Sequence, residues 1–359
     1  MKTETYLPIL EITRCVAGEQ TQTVESIHFG AIAVVNVKGD LIAWYGDPYA
    51  VTYLRSSAKP FQALPFFTRG GKTAFNLTSQ EIALICASHS GTDEHVEVAR
   101  SIQAKVGITE SYLLCGTHPP IHEPTALKLL QRGEKPSPNQ HNCSGKHSGM
   151  LAFAKMENLP LDNYIDPAHP IQKTILSTFA EMCNLPVDQV KLGTDGCSAP
   201  NFAVPLYSAA LAYARLSDPI GGSVAPPERA NACRQIFSAM TSHPDMVGGP
   251  GRYDTRLMQA THGRLVSKEG AEGYQGIGLL PGVLAPNSPA IGIAIKISDG
   301  DPQDRAIPPV GLETLRQLGA LSPDELEALS NFGPVRPVLN WRKLVVGESR
   351  PIFTLNRFA

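Results

Sequence analysis

The chain has 359 residues, with 31 Lys and Arg against 33 Asp and Glu, a formal net charge of −2, and 18% charged residues. That length buries a sizeable core; a hydrophobic share of 42% argues against disorder, and the absence of a basic excess argues against a nucleic-acid partner. The seven cysteines are an odd number, so they cannot all pair internally.

At the N-terminus, Met1-Lys2-Thr3-Glu4-Thr5-Tyr6 carries an early acid and no apolar core of signal-peptide length. Ile27 to Val37 and Leu41 to Trp44 are β-rich and flank Lys38-Gly39-Asp40, which predicts a hairpin. A short helix follows from about Ser57 to Leu64, with Pro60 in its first turn, where a missing N–H costs nothing. Thr78 and Glu81 have capping-box spacing, and Thr92-Asp93-Glu94 opens a helix that stops near Gly107. Further helices fit about Gly145 to Asn158, Pro170 to Asn184, Pro205 to Arg215, Glu228 to Ser242 and Tyr253 to Thr261. Asp218 to Pro227, rich in Pro and Gly, reads as a flexible connection.

After Gly263 the pattern changes. Arg264 to Lys268, Gly276 to Leu280 and Ala290 to Ile297 read as strands, and helices follow near Leu312 to Leu318 and Pro323 to Leu329. The uncharged stretch between Glu272 and Lys296 is broken by Pro281, Pro286, Asn287 and Pro289, so it reads as strand and turn rather than a membrane span. The expected compartment is a reducing cytoplasm. The expected fold class is α/β (α+β): a mixed β-sheet built from segments of about 1–75 and 262–359, with a helix-rich segment of about 76–261 between them, in one catalytic unit.

Five short constellations carry chemistry. In Arg55-Ser56-Ser57-Ala58-Lys59-Pro60, Ser56 and Lys59 fall on one face of a helical turn, and a buried lysine can serve as base for a serine. Ser-x-x-Lys alone occurs about once by chance in a chain this long. Cys86-Ala87-Ser88-His89-Ser90-Gly91 closes a helix with small polar residues; alone it fits an ordinary capped end. Asn142-Cys143-Ser144-Gly145-Lys146-His147 resembles a phosphate loop but fails it, because Gln140 stands at the required glycine and His147 at the required Ser or Thr. It leaves a thiol, a lysine and a histidine at a helix start. Thr194-Asp195-Gly196-Cys197 adds a second thiol and a carboxylate; Cys143 and Cys197 are half of a tetrahedral zinc site or two buried small hydrophobes. Val266-Ser267-Lys268-Glu269-Gly270 puts a lysine on a strand.

Together with His243-Pro244-x-Met246-Val247 and Gly251-Arg252-Tyr253, these motifs stand in an order that resembles the L-asparaginases of the rhizobial inducible type, over roughly Ala31 to Ile297. The resemblance implies a serine β-lactamase/glutaminase-like fold and two Ser–Lys pairs, Ser56 with Lys59 and Ser88 with Lys268. It also implies zinc held by Cys143, Lys146 and Cys197, with Asp195 close by, and a homodimer. Asp254 stands where some relatives carry a cysteine near the metal. Two thiolates and an amine nearly neutralise Zn²⁺, so zinc is expected to position substrate rather than to make hydroxide.

The expected reaction is hydrolysis of L-asparagine to L-aspartate and ammonia through an acyl-enzyme. Ser56 is the nucleophile, Arg55 and His147 hold the substrate carboxylate, and Asp195 holds its ammonium. The alternatives are another Ser–Lys hydrolase, glutaminase or β-lactamase-like, or a catalytically silent metal-binding protein of the same fold. Ser-Asp-Asn is missing, and the one Lys-Thr, Lys72-Thr73, is followed by Ala74, which weighs against β-lactam chemistry. Asparagine and glutamine differ by one methylene, which no sequence motif reads.

Overall fold

The computed structural model describes residues 4–19 and 21–358. Met1-Lys2-Thr3, the start of the segment read as lacking a targeting signal, lie outside the described residues. Eleven strands form among the described residues: β1 (Leu7–Arg14), β2 (Thr23–Asn36), β3 (Leu41–Tyr45), β4 (Val51–Tyr53), β5 (Lys191–Thr194), β6 (Pro200–Pro205), β7 (Leu265–Gly270), β8 (Tyr274–Leu279), β9 (Ile291–Ile297), β10 (Arg336–Leu339) and β11 (Val345–Pro351). The main sheet has eight strands in the order β10-β11-β1-β2-β9-β8-β7, with β3 paired to β2. Both ends of the chain therefore build it, as the segment pattern predicts. Every pairing among the described residues is antiparallel, and hairpins connect the neighbours β2–β3, β7–β8 and β10–β11. The β2–β3 hairpin turns at the predicted Lys38-Gly39-Asp40, where Asn36 Oδ1 accepts from the amides of Lys38 and Asp40.

The helices between are α1 (Lys59–Thr68), α2 (Gly71–Ala74), α3 (Ser79–Ile85), α4 (Asp93–Val106), α5 (Glu123–Gln131), α6 (Ser144–Met156), α7 (Pro170–Met182), α8 (Leu206–Ser217), α9 (Pro227–Ser242), α10 (Pro244–Val247) and α11 (Tyr253–Ala260); α12 (Ile307–Leu318) and α13 (Pro323–Ala328) follow the sheet strands. Thr78 and Glu81 form the predicted capping box of α3. The box of α4 is closed by His95 rather than by an acid. A second sheet, β4-β6-β5, lies partly inside the helix-rich segment. Short length hides it: β4 has three residues and β5 four, too few for a period to register.

Helix α8 packs against β2, β8 and β9. Three glycines make that approach possible. A Cβ on Gly292 would stand 1.7 Å from Ala210 O, one on Gly276 would stand 2.2 Å from the Tyr213 ring, and one on Gly278 would stand 2.3 Å from Ser217 Oγ. The close seat carries the Tyr213 hydroxyl to the Ser57 carbonyl, where it donates at 2.7 Å. The sheet-packing helix thus fixes the turn on which Ser56 sits.

Candidate active site

Ser56 stands between the end of β4 and the start of α1, in a 3₁₀ turn over Arg55–Ala58. Arg55 enters the turn with φ 51°, a left-handed conformation that costs a non-glycine residue roughly 1–3 kcal/mol. Its neighbours hold it there: the Arg55 amide donates to Asn201 Oδ1 at 3.1 Å, and Nε donates to Asp195 Oδ1 at 2.8 Å. The backbone leaves a strand, bends sharply and enters a helix, presenting Ser56 to a cavity of about 280 Å³. Ser88, Asn142, Arg252, Lys268 and Glu269 share that cavity.

Lys59 is 1% exposed and spends its ammonium donors on Ala87 O at 2.6 Å, Ser88 Oγ at 2.7 Å and Asn142 O at 3.4 Å. Its serine contact is thus Ser88, and no hydrogen bond joins it to Ser56 among the described residues. Ser88 is set by its own backbone: its amide donates to Val247 O at 3.0 Å, while Ser90 Oγ donates to Gly248 O at 2.7 Å. The His243-Pro244-x-Met246-Val247 motif therefore serves as the shelf for the Ser88 segment. His89 beneath it accepts from the Gly91 amide at Nδ1 and faces Ser144 Oγ with Nε2, which assigns the neutral tautomer. Burial, aided by His95 and Lys59, lowers the His89 pKa well below the ordinary histidine value.

Lys268 reaches the cavity from β7. The Ser57 hydroxyl donates to the Lys268 carbonyl, so this strand lies directly against the Ser56 turn. Burial lowers the Lys268 pKa to about 8; Asp254 works against the shift and Lys59 adds to it. Asp254 is 1% exposed and fully committed here. Its Oδ1 accepts from Ser267 Oγ at 2.7 Å and Gln275 Nε2 at 3.0 Å, and its Oδ2 accepts from the Glu269 amide at 2.7 Å and lies 3.6 Å from Lys268 Nζ. The Asp254 carboxylate thus anchors the strand of Lys268.

Arg252 pairs with Glu269 at 2.8 Å on the cavity wall. Burial, with Asp254 nearby, raises the Glu269 carboxyl to about 7, against the pull of Arg252. Asp304 lines the same wall. Arg252, Glu269 and Asp304 have no role in the sequence reading, which places Asp254 only by resemblance, near the metal. Glu269 follows Lys268 directly and Arg252 lies inside a quoted motif, but nothing in either segment reveals that the side chains meet.

Arg55, His147 and Asp195 line no part of the cavity wall. Arg55 is tied to Asp195, and His147 is fully buried with Nδ1 2.6 Å from Tyr164 Oη.

Cys143, Lys146 and Cys197 do converge. Lys146 Nζ lies 2.9 Å from Cys197 Sγ, and Asp195 Oδ2 lies 3.8 Å from the same sulfur. The hydrogen bond from Cys143, reinforced by Lys146, pulls the Cys197 thiol far below its ordinary pKa against the cost of burial; the same bond raises Cys143 well above it. His147 Nε2 is buried with no hydrogen-bond partner, and Cys197 is its neighbour. Among the described residues no three His, Cys, Asp or Glu side chains stand in metal-holding geometry. The cluster reaches three donors only by counting the lysine. Two thiols and an amine have donor chemistry that suits zinc, and the unpartnered His147 nitrogen lies beside them outside that set. All seven cysteines are free, six of them buried, and no described helix is long and apolar enough to cross a membrane.

A family model described as L-asparaginase II matches residues 16–351. Among solved structures, the chain is similar to the Bacillus subtilis glutaminase YbgJ in covalent complex with 5-oxo-L-norleucine, at 14% identity over 74% of this chain and 79% of that one, with a TM-score of 0.34. It is also similar to a Bacillus glutaminase (14% identity, 76% and 84% covered, TM-score 0.34) and to Mglu in its native form (14%, 83% and 66%, TM-score 0.37). No curated protein matches the chain.

Proposed function

The chain belongs to the L-asparaginase II family of amidohydrolases, and on that footing we propose that it hydrolyses L-asparagine to L-aspartate and ammonia by Ser–Lys chemistry. The observation that carries the reading is the hydrogen bond from Lys59 Nζ to Ser88 Oγ, 2.7 Å long, on the wall of a cavity shared with Ser56 and Lys268.

The proposed pairs are crossed relative to the sequence expectation: Lys59 serves Ser88, and Lys268 serves Ser56. Ser56 Oγ attacks the side-chain amide carbon and forms the C–O bond, while its proton passes to the neutral amine of Lys268. Ser88, oriented by Lys59, delivers a proton to the amide nitrogen as the C–N bond breaks and ammonia leaves. Lys59 then reprotonates Ser88. Water adds to the ester carbon while the now neutral Lys59 takes its proton through Ser88; Lys268 returns its proton to Ser56 Oγ as the ester C–O bond breaks and aspartate departs. The zwitterionic substrate is gripped at its carboxylate by Arg252 and at its ammonium by Glu269. The Arg55–Asp195 pair positions the strained turn rather than the substrate.

Cys143, Lys146 and Cys197, with His147 Nε2 as neighbour, are the residues that would hold zinc. Nearly neutralised by two thiolates, the ion would supply a rigid anchor beside Asp195 and, through the Asp195–Arg55 pair, would hold the Ser56 turn in place for the substrate. The homodimer and the cytoplasmic location belong to the same proposal, and light scattering at micromolar concentration tests the first.

The direct test of the covalent step is a diazoketone analogue of asparagine, followed by peptide mapping. Label on Ser56, blocked by aspartate, supports the assignment. Label on Ser88 alone, with Ser56 unmodified, overturns it.

A further inference from the structure

Away from the Ser–Lys cavity, a second cavity of about 480 Å³ opens where the end of α7, the side of α8 and the start of α9 meet. Glu181, Arg215, Ser223 and Arg229 line it. Arg215 Nη1 donates to the carbonyls of Glu181 at 2.9 Å and Met182 at 3.1 Å, the last turn of α7. Those carbonyls carry only the partial charge of a helix end. Among the described residues no carboxylate stands within ion-pair distance of Arg215; the ionisable groups that favour its charge are Cys183 and Tyr207, both of which are held protonated. Arg229 Nη1 pairs with Glu181 Oε2, and that carboxylate is half exposed. The Nε atoms of both arginines are buried without a partner.

Two guanidiniums and one carboxylate therefore face one cavity, which leaves a net positive charge there. Each guanidinium is a planar fork suited to two oxygens of one anion, and it stays charged at any physiological pH. Removing such a group from water without a counter-charge is costly, and a bound oxyanion would offset that cost.

We propose that this cavity is a binding site for a small oxyanion, a phosphate or a dicarboxylate, held between Arg215 and Arg229. Glu181 competes for the same guanidinium and sets the affinity. The site is tied to the Ser56 turn through α8: two positions before Arg215, Tyr213 donates to the Ser57 carbonyl at 2.7 Å. An anion that draws on Arg215 thus pulls on the helix that supports the catalytic turn.

Calorimetric titration of the full chain with inorganic phosphate, and in a parallel arm with succinate, tests this without any assay of turnover. The arms separate the two sources of the anion. Arg229→Gln should weaken binding about tenfold or more, as expected for loss of one charge-assisted contact. Glu181→Gln should tighten it severalfold, a direction that a purely structural ion pair does not produce. Arg215 also caps α7, so the decisive variants are those at Arg229 and Glu181, each checked for an unchanged circular dichroism spectrum. Absence of binding by either anion overturns the site. Binding that is equal in wild type, Arg229→Gln and Glu181→Gln also overturns it, because the anion would then lie elsewhere, for instance at Arg252.

Discussion

Lys59 Nζ reaches Ser88 Oγ at 2.7 Å across 29 positions of sequence, while Ser56, only three positions away, lines the cavity without a hydrogen bond to that lysine. One lysine therefore serves the more distant serine, and this geometry distinguishes the two serines chemically. Lys59→Met should lower kcat for ammonia release by at least about a thousandfold. Lys59→Arg should not rescue it, because a guanidinium cannot give up its proton. Near-wild-type turnover in Lys59→Met would contradict the role of this contact.

The pH profile should report Lys268. Its amine falls from an ordinary value of 10.5 to about 8 on burial. The base is the neutral form, which grows as pH rises. kcat/KM should therefore climb about tenfold per unit below pH 8 and level off above it. Glu269, raised to about 7 by burial, adds a limb of the same sign and steepens the rise toward about a hundredfold per unit below pH 7, since only its carboxylate pairs with the substrate ammonium. Activity that falls between pH 7 and 9 in a steady-state series contradicts both assignments.

Asp254→Asn separates charge from shape. Asp254 is the principal group that holds the Lys268 pKa up. Removing its charge should move the Lys268 limb, the rise below pH 8, to lower pH. The amide also cannot accept at both oxygen positions, so the Glu269 amide loses its partner, at a cost of about 2–4 kcal/mol in urea unfolding. An unchanged limb would show that Asp254 does not face Lys268 electrostatically.

The thiol cluster makes a stoichiometric prediction. Elemental analysis should find one zinc per chain, and Cys143→Ser with Cys197→Ser should release it. Full retention in the double variant excludes these ligands.

The seat of α8 on the sheet is sensitive to a single methyl group. A Cβ on Gly292 would stand 1.7 Å from Ala210 O and 2.6 Å from Ala214 N, both backbone atoms that cannot rotate away. Gly292→Ala should cost about 3 kcal/mol or more, measured as a lower denaturation midpoint. A neutral effect would mean that α8 sits farther from β9.

Local signals carried much of the architecture into the sequence. The hairpin at Lys38-Gly39-Asp40, the Thr78–Glu81 box and most helix spans between 145 and 261 arise from neighbours in the chain, so period and capping reveal them. The motifs around Ser56, Ser88, Cys143, Cys197 and Lys268 also lie where a cavity and a thiol cluster form. What stayed hidden is long-range. The partner of Lys59 is decided by where α3 ends against Val247, and the role of Asp254 by the register of β7 against β8. The Arg252–Glu269 wall exists only once the start of α11 and β7 are folded together. Strands β1, β10 and β11 carry weak signals: β1 buries its residues in adjacent pairs rather than alternately, β10 has four residues and none buried, and β11 is interrupted by Gly347.

The most direct measurement is ammonia release from L-asparagine by the purified chain, run beside L-glutamine and beside Ser56→Ala. Steady release of ammonia and aspartate from asparagine by the wild type, reduced at least about a thousandfold in Ser56→Ala, is the expected result. Release from glutamine alone, no release from either amide, or undiminished activity in Ser56→Ala would contradict it.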